Sequence, residues 1–361
     1  MSYPERIKDS FFWAYRESAY KYRMFKSKKM VRDILKNQNI SCLSQNEKRE
    51  LSEYWKQFGC KPDYRFAQMM YGISGIRDPR FIVEPFFYYR INDKLCNFNL
   101  NMAWEDKNFY DIHFPGAPFP ETIVHNIHGR FYDCNYEIIS EDDAINYIKN
   151  EDEIIIKPSL ETGASKNVRH LRNYEELGQV LKTYKSDFVV QKVIRQHESL
   201  SKLNNSAVNV FRVNTLRLEN EIVLLPSYLR VIANDSSELN NEKDGVSIGL
   251  NHQLAIGLDS CYQLKNRAFN FEGQVFSKCL NGASFAAIKI PGCENMIKTV
   301  MELHKKIMYA DIVSWDVTIN ENGLPAIIEI NLGTPGCIVG QYCNGPFLGK
   351  YTDAVLRKVF I

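Results

Sequence analysis

Two carboxylates and an amide near the C-terminal end stand where a hairpin would bring them together. Asp316 sits in the apolar run Val313-Ser314-Trp315-Asp316-Val317-Thr318-Ile319, and Asn320-Glu321-Asn322-Gly323 then turns the chain. The return run is Pro325-Ala326-Ile327-Ile328-Glu329-Ile330-Asn331. Strand side chains alternate faces, so Glu329 and Asn331 share one face and Ile328 and Ile330 the other. A hairpin could bring Asp316 across from that pair. Two carboxylates and an amide oxygen are hard ligands suited to Mg²⁺, which keeps several waters and takes its remaining ligands from nucleotide phosphates. The plainer alternative is a strand face made polar by solvent. The flanking isoleucines argue against it, because unpaired carboxylates beside buried apolar groups are costly.

A second set lies upstream. Lys157 closes the short apolar run Glu153-Ile154-Ile155-Ile156, and Pro158 and the small polar run Glu161-Thr162-Gly163-Ala164-Ser165-Lys166 follow. Small residues let backbone N–H groups approach phosphate oxygens, and a lysine adds a compact charge. Further on, Phe188-Val189-Val190-Gln191-Lys192-Val193-Ile194 is an apolar strand that can edge an adenine through its backbone and Gln191, with His197 or Glu198 near a ribose. Its alternative is a plain core strand with Gln191 exposed.

The elements that must position these residues follow from periodicity. Residues 1–105 read as mostly helical and irregular, with helices expected over 31–38 and 47–58, Ser44 capping the second. The stretch from Arg80 to Ile91 reads as a strand interrupted by Pro85. His113-Phe114-Pro115-Gly116-Ala117-Pro118-Phe119-Pro120 reads as a connecting loop. Strands and helices then alternate: a capped helix from Ser140 to Asn150, a helix over 173–185, strands over 207–218 and 221–232 about Glu219-Asn220, and a helix over 294–309. The class is α+β with mainly antiparallel hairpins.

Composition removes several classes of function. At 361 residues, 45% hydrophobic and 24% charged, the chain is long enough for two or three domains and is not that of a disordered or fibrous protein. No apolar run reaches the ~18 residues that span a bilayer. The opening Met1-Ser2-Tyr3-Pro4-Glu5-Arg6 lacks a signal-peptide pattern, and nine scattered cysteines without a CxxC point to reduced thiols, so a cytoplasmic location is expected. A net charge of +2 makes no general case for nucleic acid. One local bias stands out: nine Lys or Arg from Arg6 to Arg32, interleaved with aromatics such as Trp13, Tyr15, Tyr22 and Phe25. A basic aromatic helix can lie on an anionic membrane or grip an anionic partner. The plainer reading packs the aromatics on the body and leaves the charges in solvent.

Taken together, Lys107, Lys157 before its small-residue loop, the strand from Gln191 to Ile194, and the closing Asp316, Glu329 and Asn331 resemble the ATP-grasp superfamily. The thirteen-residue Asp316–Glu329 interval and the Glu329-x-Asn331 pair are similar to those of D-alanine–D-alanine ligases. More narrowly, Asp106-Lys107-Asn108, Phe119-Pro120-Glu121-Thr122-Ile123, Gln196-His197, Asn209-x-x-Arg212, Ser314-Trp315-Asp316 and Ile328-Glu329-Ile330-Asn331 resemble the sugar-transfer-associated ATP-grasp proteins, over roughly residues 45 to 350.

The resemblance implies an ATP-grasp fold with ATP held between two α+β subdomains, 106–195 (the lid) and 196–361, behind a mostly helical region, 1–105. It implies ATP and Mg²⁺ as cofactors. Lys107 and Lys157 would contact the phosphates and the base side, and Thr162, Gly163 and Ser165 would cover the phosphates. Gln191, Lys192 and Val193 would line the adenine and His197 the ribose. Asp316, Glu329 and Asn331 would hold Mg²⁺. Two departures stand out: the phosphate loop is poor in glycine, and Ser314 occupies the position where the D-alanine ligases carry an arginine. Arg212 or Arg230 would then stabilise the transferring phosphoryl group; their alternative is ordinary cross-strand ion pairing. The implied reaction phosphorylates a carboxylate, small or glycan-linked, to an acyl phosphate that an amine displaces, with a sugar acid of surface-polysaccharide assembly as the narrower substrate. Leu332-Gly333-Thr334-Pro335-Gly336 would face that substrate. A kinase on the same scaffold and a nucleotide-binding scaffold protein are the alternatives.

Overall fold

The structure is a computed structural model that describes residues 3–160, 167–205, 207–232, 253–278, 282, 284–333 and 335–361. A helix over Tyr3–Asn37 opens the chain, its side chains described from Trp13 onward. Helices Gln45–Lys56 and Tyr64–Ser74 follow. Ser44 caps the first of these as expected: its hydroxyl accepts from Glu47 N–H, and Glu47 reaches back to the Ser44 backbone.

The segment read as a strand around Pro85 is helical instead. It forms a short helix, Glu84–Phe86, that runs into a π-helical stretch, Phe87–Asn92. Pro85 occupies the first turn, where its missing N–H removes no helical bond, and Phe87, Tyr88 and Ile91 are buried at helical rather than alternating spacing. Aromatic and β-branched content alone favours a strand; tertiary burial overrode it.

A six-stranded antiparallel sheet comes next: β1 (Thr122–Ile127), β2 (Arg130–Tyr132), β3 (Ile138–Ile139), β4 (Ile154–Pro158), β5 (Arg169–Leu171) and β6 (Phe188–Lys192), in the spatial order β3-β2-β1-β6-β4-β5. Helices Glu141–Lys149, capped by Ser140, and Leu177–Tyr184 close a small core over one face, around Val124, Ile154, Ile156, Phe188 and Val190. Alternation therefore turns Lys157, Val189 and Gln191 to the other face.

The larger sheet has seven antiparallel strands: β7 (Val210–Leu218), β8 (Glu221–Ile232), β9 (Gln253–Leu258), β10 (Leu264–Phe269), β11 (Val275–Phe276), β12 (Ile312–Ile319) and β13 (Pro325–Asn331), ordered β11-β10-β9-β8-β7-β12-β13. Val213, Trp315, Val317 and Ile330 belong to one continuous core that the sheet shares with the N-terminal helices and with helix Cys293–His304. Each such aliphatic side chain, fully buried, contributes about 1.5–3 kcal/mol. The opposite face of β7, β8, β12 and β13 is polar, and it faces Lys157 on β4.

Candidate active site

Register assembles the acidic set. Asp316 pairs with Glu329 across β12 and β13, Ser314 pairs with Asn331, and on the other side Asp316 pairs with Arg212 of β7. Paired residues in an antiparallel ladder share a face, so the two carboxylates, Asn331 and Arg212 lie together. The turn between the two strands closes on Gly323, at φ 76°, a conformation that favours glycine, and a bulge at Ile328 then shifts the ladder so that Asp316 meets Glu329.

Asp316 is tied up by both arginines. Arg212 Nε lies 2.7 Å from its Oδ1 and Arg212 Nη2 donates to its Oδ2 at 3.2 Å; Arg230 Nη2 lies 2.7 Å from the same Oδ2. The Arg212 and Asp316 side chains are 9% and 7% exposed, so this charge pair is held almost out of water. Burial works most strongly against the Arg212 charge, but Asp316, Tyr228, Glu329 and Tyr88 together outweigh it and the guanidinium is held above its ordinary value. Ion pairing, the alternative for these arginines, is thus part of how they reach the cluster.

The lysines approach from the side of the six-stranded sheet, Lys157 from β4 and Lys107 from a turn outside the sheet. Asp106 accepts from Asn108 N–H and caps the turn Lys107–Phe109, while Asn108 Nδ2 donates to Asn126 O on β1. Lys107, between them, donates through Nζ to Ser159 O at 3.3 Å and to Glu329 Oε1 at 3.2 Å. Lys157 Nζ donates to Ile328 O at 3.3 Å, bridging β4 to β13. Burial, aided by the nearby Lys107 charge, brings Lys157 down to about 7; Glu329 and Asp316 pull the other way. Three cations (Lys107, Arg212, Arg230) meet two carboxylates (Asp316, Glu329), with Lys157 half-charged near neutral pH. The cluster is therefore net cationic and suited to a polyanion.

The other expected contacts divide. Gln191 is buried: Nε2 donates to Thr122 Oγ1 at 3.1 Å and Pro120 O at 3.4 Å, and its Oε1 has no partner among the described residues. Ser159 Oγ is likewise buried without one. Lys192 does not join the cluster: alternation points it away from the Gln191 face, where it pairs with Glu121 at 3.0 Å and Glu151 at 3.4 Å. Val193 is half-buried just past β6. His197 caps the short helix Glu198–Ser201, its Nδ1 accepting from Ser199 N–H at 3.2 Å. Asn209 and Gln196 tie the following loop, through Asn209 Nδ2 to Gln196 Oε1, Leu200 O and Asn204 O. Thr162, Gly163 and Ser165 lie outside the described residues.

What sequence reasoning missed is the frame around the loop after Asn331. Asn92 Nδ2 donates to Leu332 O and Gly333 O at 3.1 and 3.0 Å. Glu105 Oε1 accepts from Leu332 N–H and Gly333 N–H, Tyr88 OH from Gly336 N–H, and Glu84 Oε2 from Cys337 N–H. Arg212 Nη1 donates to Pro335 O at 2.9 Å, so one guanidinium holds both Asp316 and the loop. Burial raises both Glu84 and Glu105, against the pull of the amides they accept from. Four of these five side chains come from the helical N-terminal region, more than 200 residues away in sequence. Only the general demand that a buried loop satisfy its backbone groups signals them.

The donors present suit the nucleotide and metal of the resemblance. Glu329 and Asn331 offer oxygens beside Asp316, the lysines and arginines supply charge, and Ser159 Oγ and Gln191 Oε1 are polar atoms still to be paired. Among the described residues no group of three or more His, Cys, Asp or Glu could hold a metal ion.

Comparison with solved structures finds VanG D-Ala:D-Ser ligase from Enterococcus faecalis, at 10% identity and TM-score 0.42, covering 75% of this chain and 63% of that one. D-alanine–D-alanine ligase from Bacillus anthracis aligns at 14% identity and TM-score 0.39, over 74% of this chain and 68% of that one. ATP-grasp ligase PsnB, complexed with minimal precursor, Mg and ADP, aligns at 9% identity and TM-score 0.39, over 76% and 62%. The chain thus spans less than two thirds of the length of the first of these. No curated protein matches. The model of one family, sugar-transfer associated ATP-grasp, matches residues 138–356, which takes in β4 to β6, the whole larger sheet and the cluster except Lys107. On that match the chain is a member of the sugar-transfer associated ATP-grasp family, with the ATP-grasp fold and with ATP and Mg²⁺ as cofactors.

Proposed function

We propose that the protein is an ATP-dependent carboxylate–amine ligase that forms ADP and phosphate through an acyl phosphate. The observation that carries this reading is the net cationic cluster between the sheets, which has an oxygen-donor triad on one side and an amide-rich, clamped loop on the other. In it Lys107 and Lys157 bind the phosphates, Gln191 and Val193 meet the base, and Asp316, Glu329 and Asn331 are the metal ligands. Bound there, Mg²⁺ neutralises phosphate charge and draws electron density from the transferring group. Arg212 and Arg230, fixed on Asp316, face the developing phosphoryl charge with no reorganisation. The loop from Leu332 to Cys337 presents the acceptor carboxylate, held at the near-attack distance by the N-terminal frame.

The division at 105/106 and 195/196 is part of this reading: the first region frames the acceptor loop, the second brings the lysines and the third the triad. The narrower substrate is a sugar acid, free or glycan-linked, amidated in surface-polysaccharide assembly; the family's sugar-transfer association supports it. A cytoplasmic location accords with the eight described cysteines, all free.

The test is ADP release over a panel of carboxylic acids, each with and without amines. ADP release should require a carboxylate, and hydroxylamine should trap the acyl phosphate as a hydroxamate in the absence of the natural amine. A phosphate ester on a hydroxyl with no hydroxamate would make the protein a kinase, and no stimulation by any acid or alcohol would leave it a nucleotide-binding scaffold.

A further inference from the structure

The first helix carries aromatic residues on the side that the body does not cover. Its inner face is fixed by Arg16 on Asp93, by Arg90 on Glu17 at 2.6 Å, by Tyr20 against Tyr89, and by buried Val31 and Ile34. At 3.6 residues per turn, Tyr15, Tyr22 and Phe25 fall within an arc of about 80° directly opposite Val31. They are 72%, 58% and 63% exposed. The same outer side carries the exposed cations Lys21, Lys26, Lys29, Arg32 and Lys36, and among the described residues Asp33 is the one acid there. Glu17, by contrast, is turned inward and already paired. None of those five cations forms an ion pair among the described residues; Lys26 lies over the Tyr22 ring, 4.6 Å from its centroid.

We propose that this outer face docks on an anionic lipid surface, the three aromatics entering the headgroup region and the lysines and arginine meeting the headgroup charges. Charge complementarity selects the occupant. A second copy of the helix would need a continuous apolar seam, but the three-and-four spacing that holds Tyr15, Tyr22 and Phe25 goes on to Lys29, Arg32 and Lys36, which oppose one another in a parallel pair. A nucleic-acid duplex would use the cations and leave the aromatics in water. A bilayer interface accepts both: aromatic rings settle at headgroup level and basic side chains follow anionic lipid. No helix among the described residues is long and apolar enough to cross a membrane, so the contact lies along the surface.

Flotation of the full chain with vesicles tests this, comparing pure phosphatidylcholine with phosphatidylcholine containing about a third phosphatidylglycerol. The protein should float with the anionic vesicles and stay behind with the neutral ones, and raising salt to ~1 M should release it. The triple variant Tyr15→Ser/Tyr22→Ser/Phe25→Ser should lose at least ~tenfold in vesicle affinity, and Lys26→Glu/Lys29→Glu/Arg32→Glu as much. Both should keep the unfolding midpoint and ATP affinity, since all six side chains are exposed. Equal binding to both vesicles, or to neither, would overturn the proposal. So would a duplex oligonucleotide bound while the vesicles are not, or a dimer that the serine variant converts to monomer without a vesicle-bound form.

Discussion

On the seven-stranded sheet, Asp316 is ion-paired with both Arg212 and Arg230; across from them, Lys157 of the six-stranded sheet is buried with no paired carboxylate among the described residues, and Gln191 Oε1 and Ser159 Oγ are buried without partners there. The first arrangement is ion-paired before any ligand binds, and it serves as a template. The second is not, and its energy changes most when an anion arrives. The difference separates charges that also hold the fold from a lysine that the fold does not need, and mutations on the two sides should therefore fail differently.

The largest effect is expected at Asp316. Asp316→Ala leaves two arginines, one of them buried, without their counter-charge, and breaking a buried pair this way costs about 3–5 kcal/mol. Denaturant unfolding should show that loss together with lost ATP turnover. Next comes Lys157. Lys157→Gln should weaken ATP binding by one to two orders of magnitude, about 1.5–3 kcal/mol, and weaken AMP binding less, because a charge-assisted bond to the outer phosphates is removed. Its unfolding midpoint should hold or rise, the opposite of Asp316→Ala, since burial disfavours the lysine charge.

The same lysine gives a pH signature. It sits at about 7 without ligand, and a phosphate beside it raises that value, so binding takes up a proton above pH 7. Wild-type ATP affinity should fall as pH rises from 7 to 9, by more than in Lys157→Gln. If the two proteins had identical slopes, Lys157 would not face the phosphates.

A smaller effect is expected at the frame. Glu105→Ala strands the N–H groups of Leu332 and Gly333, a loss of about 1–3 kcal/mol that should raise the KM for the acceptor far more than the Kd for ATP. Smallest are the two buried histidines, one in each half: His125 on β1 and His304 beneath β7, both pushed down to about 4 by burial. A lowered histidine makes its stabilising contribution above the unfolded value of ~6.5 and loses it as pH falls toward 4. At pH 5.5 each should cost about 1 kcal/mol, read as a drop in unfolding midpoint that His304→Gln makes shallower.

How far the sequence reached follows the range of each interaction. The two strands and their turn were legible locally, but the pairing of Asp316 with Glu329 was not fully so, because it depends on a bulge at Ile328 that shifts the register by one residue between Val317 and Asp316. Ser44 and Ser140 were legible locally too, as caps. Alternation also puts Gln191 and Lys192 on opposite faces of β6. Glu84, Tyr88, Asn92 and Glu105 were not legible, because nothing local to them reveals a loop that lies more than 200 residues away. The Pro85 segment was misread because its composition favours a strand while its burial follows a helix.

The central claim is that the cluster between the sheets holds ATP with Mg²⁺ through the C-terminal triad, and Glu329 tests it most directly, being only partly buried and opposite the template charges. Calorimetric titration of ATP into wild type and Glu329→Ala, with and without Mg²⁺, should show Mg²⁺ tightening binding in the wild type. In the variant that enhancement should vanish, together with turnover, while the unfolding midpoint moves by less than in Asp316→Ala. Normal Mg²⁺ dependence and normal turnover in Glu329→Ala at limiting Mg²⁺ would contradict the account.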